Sequence, residues 1–352
     1  MNKYLKFVSI LCWLLLSATP TQAAVEYSVT YMGNFVPTGI NNSGDVIGNS
    51  SAESGASQAV LYSNGILTNL KTLGGPENWA FGINNNGQIV GVSEITDGPF
   101  HAFLYDKGQM NDLGTFGGAS SDADGINNDG QIAANYETAD GVTHAILYDH
   151  GAITELGNFG GNLNVAKVIN SKGEIAGQAK TADGLSHLFV YQKGNMTDLG
   201  IVGNYAWVEG MNDAGQIVGG WGMGGGSIPI RAFLYENGCI AEIESFSNGT
   251  FANCINAKGD IVGYGPINGN AFLYSNGTMS NLNDLVQTGI TLDNAYGIND
   301  VGQIVASGYS DQYGDGAYIL NPVPEPACIA LECSGAAFVL LFVVRDFIRR
   351  KK

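Results

Sequence analysis

Basic side chains are scarce in this chain: its 352 residues hold 15 Lys and Arg against 32 Asp and Glu, a net charge of −17. Between residues 25 and 322 only eight basic residues face 29 acidic ones. Such a surface repels phosphate backbones and anionic headgroups, which points away from nucleic acid and from docking on acidic lipid. Cysteine is nearly as rare. Of five in all, Cys12, Cys328 and Cys333 lie near the ends, and only Cys239 and Cys254 lie between 25 and 322. Two cysteines make no disulfide scaffold, and their spacing leaves open whether they pair. No Cys and His residues stand at zinc spacing, so no metal and no cofactor are expected. Motifs for a serine or cysteine nucleophile and for a phosphate loop are missing, as is the Ser-x-Asp-x-Gly-x-x-Trp box of sialidase propellers. No segment sustains a helical period.

What the chain has is repetition. Glycine is abundant, at 51 residues. The stretch GINNNGQIVG at Gly82 recurs at Gly39, Gly125, Val168, Gly210, Cys254 and Gly297 with steps of 42 to 44 residues. A second motif keeps step with it: QAVLY at 58–62, HAFLY at 101–105, HAILY at 144–148, HLFVY at 187–191, RAFLY at 231–235, NAFLY at 270–274 and GAYIL at 316–320. A third follows, as in QMNDLGTFGG. Asn-Gly, Asp-Gly and Lys-Gly pairs between these runs are turn chemistry. In the second repeat the spacing predicts strands over Trp79–Asn84, Gln88–Glu94, His101–Asp106 and Gln109–Gly114. Strands such as HAFLY are apolar on both faces, so their sheets must be covered on both sides. Four short strands in about 40–45 residues is the blade size of a β-propeller. The expected fold is therefore all-β, a seven-bladed β-propeller over residues 25–322. Tyr27–Phe35 resembles a fourth strand, while the last repeat stops at its third. An N-terminal strand is thus expected to close the ring beside Ala317–Asn321 and remove an open edge.

The ends read differently. Residues 1–24 have the charged start, apolar run and small-residue cleavage site of a signal peptide, so the mature protein is expected to be exported. At 323–352, Pro324-Glu325-Pro326 precedes an apolar run, about 327–344, and a basic end, Arg349-Arg350-Lys351-Lys352. That run is long enough for a C-terminal transmembrane helix in the inner membrane, and the basic end would keep the terminus cytoplasmic. VPEP, an apolar run and an Arg/Lys-rich end together resemble the PEP-CTERM sorting signal. The resemblance implies an exosortase as partner and a route from the periplasmic side of the inner membrane to the cell surface or extracellular matrix. The HAFLY and DLG-x-x-GG units resemble the HAF repeats of bacterial extracellular proteins, a likeness that implies no particular activity.

Function is expected to reside where the repeats disagree. The residue before each Gly-Ile-Asn stretch is Thr38, Phe81, Asp124, Lys167, Glu209, Asn253 or Tyr296, seven chemistries at one structural place near the axis. Trp79 and Trp207, two residues earlier, offer faces on which a sugar can stack. His101, His144 and His187 recur at one position, each four residues after an Asp: Asp97, Asp140 and Asp183. Repetition makes these a structural bond rather than a base. Asp122–Gly130 has the look of a calcium loop without its terminal Glu. The expected function is a non-enzymatic binding or structural module of the envelope or matrix, with exopolysaccharide as the partner that setting suggests. The alternative is a carbohydrate-active enzyme, a glycosidase or lyase, which needs two converging carboxylates.

Overall fold

The computed structural model describes residues 27–52, 54–200, 205–222, 230–243, 249–265, 270–286 and 289–324. Each repeat forms an antiparallel meander. In the second it runs through Gly74–Ile83, Ile89–Ile95, Phe100–Asp106 and Gln109–Asp112. The first strand of each meander lines the axis. The third buries both faces, as its composition requires. Phe103 packs back onto Ile47 and Ala59 of the preceding repeat and onto Ala80 of its own, while Ala102 packs forward onto Ala123, Ile132 and Ile146. The Leu of the DLG motif locks the fourth strand. Leu70 and Leu156 are buried, and their N–H groups donate to the carbonyls of Ala59 and Ala145.

The opening strand supplies what the last repeat lacks. Tyr27–Gly33 pairs antiparallel with Gly314–Pro322, setting Tyr31 opposite Tyr318 and Thr30 opposite Ile319. Tyr318 is left 1% exposed.

Two expectations need correction. Hydrogen bonding does not divide the strands into seven separate blades: it gives five separate four-stranded blades and one eight-stranded sheet. The eight-stranded sheet joins the third and fourth repeats through a parallel bridge, Thr143 to Leu163. At the two preceding junctions a side chain does this work. Asn78 Oδ1 accepts from Ala59 N, and Ser121 Oγ from Ala102 N, both at 2.8 Å. At the third junction the equivalent acceptor, Asn164 Oδ1, is buried without a partner, and backbone pairing takes its place. The second correction concerns the C-terminal transmembrane helix. No helix among the described residues is long and apolar enough to cross a membrane; the one helical turn among them is the 3-10 turn Leu282–Asp284. Residues 327–344, like the signal segment 1–24 and Glu325 and Pro326, lie outside the described residues.

The repeated Asn of the GIN motif ties the ring together. Asn84 Oδ1 accepts from the N–H groups of Asn86 and Gln88, both at 3.0 Å, shaping its own hairpin. Its Nδ2 donates to Gln88 Oε1 at 2.7 Å and to the backbone carbonyl of Asn127 in the next repeat at 2.9 Å. Gly87, at φ +76°, completes the turn in the left-handed region that a side chain resists. Asn41, Asn127, Asn170, Asn212, Asn256 and Asn299 make the same inter-repeat bond, and Asn299 donates to the Asn41 carbonyl at 2.9 Å, closing the circle. Replacing Asn127 by Ala strands the backbone N–H groups of Asp129 and Gln131 and cuts the bond to the Asn170 carbonyl. Denaturant unfolding of Asn127→Ala should show a loss of about 1–3 kcal/mol; an unchanged midpoint would mean that water replaces the side chain without cost.

Candidate functional site

The asparagine ring narrows one end of the axial channel. The opposite mouth is built from the strand residues that precede it, where the repeats diverge. Two successive columns matter. The nearer is Thr38, Phe81, Asp124, Lys167, Glu209, Asn253 and Tyr296. Two residues earlier on each strand lie Val36, Trp79, Asp122, Val165, Trp207, Phe251 and Asn294. Alternation along a strand puts both columns on the same face.

The nearer column splits by role. Thr38 Oγ1 donates to the Ala80 carbonyl at 2.9 Å. Asn253 Nδ2 donates to Asn294 Oδ1 at 2.7 Å and to the Ala295 carbonyl at 2.8 Å. Those two side chains fasten one strand to the next. Asp124, Lys167 and Glu209 form a charged centre. Lys167 Nζ lies 2.8 Å from Asp124 Oδ1 and 5.8 Å from the centre of the Phe81 ring. Burial, and then the nearby Tyr296, disfavours ionisation of Tyr264.

Asp122, which opens the calcium-loop resemblance, joins this centre instead. Asn135 Nδ2 donates to Asp122 Oδ1 at 2.8 Å and to Asp124 Oδ2 at 3.0 Å, so one amide holds both carboxyl groups. The signal was present in the Asp-Ala-Asp spacing, which alternation places on one face. The calcium-loop reading had assigned it elsewhere. Asp122 and Asp124 in fact sit on the strand Ser120–Ile126, whereas Asn127 belongs to the ring at the far end. No group of three potential metal ligands occurs among the described residues.

Burial, then repulsion from Asp124, pushes the Asp122 carboxyl up to about 7. Burial likewise raises Glu209, against the pull of Lys167. For Lys167, burial lowers the pKa, but Asp124, Glu209 and Asp122 outweigh it and the net shift is upward. The centre thus holds more carboxyl groups than its single ammonium can neutralise.

Aromatic rings flank this centre on two sides. On one, Trp79 and Phe100 lie 5.6 Å apart, and with Phe81, Asp122, Asp124 and Asn135 they line a groove of about 440 Å³. On the other, Tyr205 stacks near Trp207 at 6.1 Å, Trp207 meets Phe251 at 6.3 Å, and Phe251 stacks on Tyr264 at 4.3 Å. The Trp207 ring lies over Gly220, where a Cβ would come within 2.5 Å of the indole. Phe100, Tyr205 and Phe251 come from three different repeats, so no local motif could have joined them; Tyr264 faces Phe251 across its own hairpin.

The histidines are structural, with a different partner from the one expected. His101 bonds Asp112 at 2.9 Å and His187 bonds Asp198 at 2.9 Å, each across from the third strand to the fourth. Arg231 and Glu242 make the same link at 2.7 Å, as do Gln58 and Asn69 at 2.9 Å. Asp140 instead closes its own turn, accepting from Thr138 Oγ1 at 2.6 Å. Cys239 and Cys254 are both free thiols.

No family model matches the chain, and no curated protein is significantly similar to it. Among solved structures it is similar to the β-propeller domain of the Trilobed protease from Pyrococcus furiosus, which has an open velcro topology. The two are 8% identical, with a TM-score of 0.53, covering 83% of this chain and 99% of that one. It is also similar to the acylaminoacyl peptidase of Pyrococcus horikoshii, at 8% identity and a TM-score of 0.53, covering 86% of this chain. This chain spans about half (55%) of that peptidase's length. TolB from Acinetobacter baumannii aligns at 14% identity and a TM-score of 0.45, covering 63% of this chain and 56% of its own. The two peptidase likenesses, with TM-scores above 0.5, establish the all-β propeller fold and nothing about a ligand.

Asp122 generates a pH signature. A carboxyl whose pKa is raised by folding stabilises the protein while protonated. That contribution is complete below the unfolded pKa of about 4 and is lost as pH rises to about 7. Asp122→Asn should therefore be less penalised, relative to the native chain, at pH 7.5 than at pH 4. A stability difference between the two that stays flat over this range would show that Asp122 does not titrate as described.

Proposed function

We propose that this protein is an exported envelope or matrix component whose propeller binds a glycan, without catalysis, across the mouth opposite the asparagine ring. The carrying observation is that mouth: aromatic faces on two sides of a hydrogen-bonding, charged centre. Sugar rings present apolar C–H faces to aromatic rings and hydroxyls to carboxylates and amides, and this arrangement offers both. The separation of the Trp79 and Trp207 clusters by the charged centre fits an extended chain better than a single sugar. An extracellular polysaccharide is the partner that the export reading supplies.

The enzymatic alternative is less well supported. Glycoside hydrolysis uses two carboxyl groups placed about 5–9.5 Å apart around the scissile bond. Asp122 and Asp124 instead share one amide and repel each other directly, so they behave as a single dyad.

Aromatic stacking contributes about 0.5–1.5 kcal/mol beyond burial. Trp79→Ala and Trp207→Ala should each weaken binding of a secreted polysaccharide roughly twofold to tenfold in calorimetric titration. Retained affinity in the double variant would move the site elsewhere, and release of reducing ends during incubation would restore the enzymatic reading.

The route of export is a separate part of the proposal. It rests on Pro324-Glu325-Pro326 and the basic end, which suit recognition by an exosortase. An epitope tag placed after Lys352 should be lost from the surface form. A tag retained on the full-length protein at its final location would overturn sorting by cleavage.

A further inference from the structure

The charge of the mouth narrows the ligand class. Asp122, Asp124 and Glu209 gather around one ammonium, and that ammonium is already committed to Asp124 at 2.8 Å. Among the described residues, Lys167 is the only cation that acts on Asp122 or Glu209. Asn135 satisfies part of Asp122 but carries no charge. The groove beside it holds about 440 Å³ and is walled by Trp79, Phe81 and Phe100, whose ring faces attract cations as well as C–H groups. The wider surface agrees: 29 acidic residues against eight basic between 25 and 322 draw polycations in and hold polyanions off. Uronate-rich polymers are therefore disfavoured at long range and again at contact.

Resting on the glycan-binding reading above, we propose that the ligand is a glycan bearing free primary amines, a polymer rich in unacetylated amino sugars, whose ammonium groups enter the groove lined by Asp122 and Asp124. The ammonium supplies the positive charge that the centre lacks. It donates to carboxyl oxygens while its ring stacks on the Trp79 side, and the next residues of the chain reach the Trp207 side. Burial holds the Asp122 carboxyl near neutrality before binding; a bound ammonium favours its ionised form, so binding releases protons.

The test is a calorimetric titration at pH 6 of the 25–322 fragment. That fragment contains every described strand and closes its own ring. The ligands are a glucosamine hexamer, the N-acetylated hexamer and a galacturonate hexamer. The glucosamine hexamer is expected to bind roughly tenfold or more tightly than the N-acetylated one, as a charge-assisted bond adds about 1.5–3 kcal/mol. The galacturonate hexamer should not bind. The double variant Asp122→Asn/Glu209→Gln, shown folded by its melting profile, should bind both glucosamine forms alike. Equal affinity of the native fragment for the two forms would overturn the amine requirement and leave the glycan reading standing. Undiminished preference in the double variant would also overturn it, because general surface charge would then account for the attraction. If none of these hexamers, nor any other sugar, binds the native fragment, both readings fail.

Discussion

One hydrogen bond, made seven times, sets the geometry on which the rest depends. A propeller must hold its inner strands at a common height around an axis while each blade folds mainly by local pairing. The Asn of each GIN motif joins those two scales. Its oxygen shapes the hairpin within the repeat, and its nitrogen grips the carbonyl of the next repeat's Asn. Because the last grips the first, no member can shift without breaking two bonds. Burial at 2–5% exposure around the ring denies water as a substitute.

That fixed end frees the other. A few residues back along the same strands, the side chains face a channel mouth whose position is already set, so identity there can vary without altering the fold. The two variable columns show this directly. Trp79, Asp122, Val165, Trp207 and Phe251 share one backbone position but differ in size, charge and polarity. Thr38 and Asn253 still serve the scaffold, whereas Phe81, Asp124, Lys167 and Glu209 serve the mouth. Structural repetition and functional asymmetry thus coexist on single strands.

Much of this was legible in the sequence because it is local. Hairpin chemistry, the two apolar faces of HAFLY and the period follow from neighbouring residues. The spare strand Tyr27–Gly33 was legible by counting what each repeat lacked. The variable column could be named, but not its division into fasteners and charged centre. That division depends on contacts between residues 42 or 43 apart in sequence, such as Thr38 with the Ala80 carbonyl and Lys167 with Asp124. Likewise, the Asp that pairs with His101 could not be chosen by proximity in sequence. The register of the third and fourth strands puts Asp112 opposite Phe103, diagonal to His101 and within its reach.

The join between the third and fourth repeats follows from the same division of labour. At Asn164 the acceptor link that Asn78 and Ser121 make is unmade, its Oδ1 buried without a partner. The parallel bridge from Thr143 to Leu163 replaces it and fuses two blades into one sheet. Asp122, Asp124 and Lys167 all belong to those two repeats. Mutual repulsion between two carboxyl groups works against holding them together, and a rigid backbone connection resists the spreading that would relieve it. Asn135, which binds both carboxyls and also accepts from Ala166 N at 2.8 Å, spans the same join. Asn135 therefore holds the two carboxyl groups together and ties them across the same join that the backbone bridge spans.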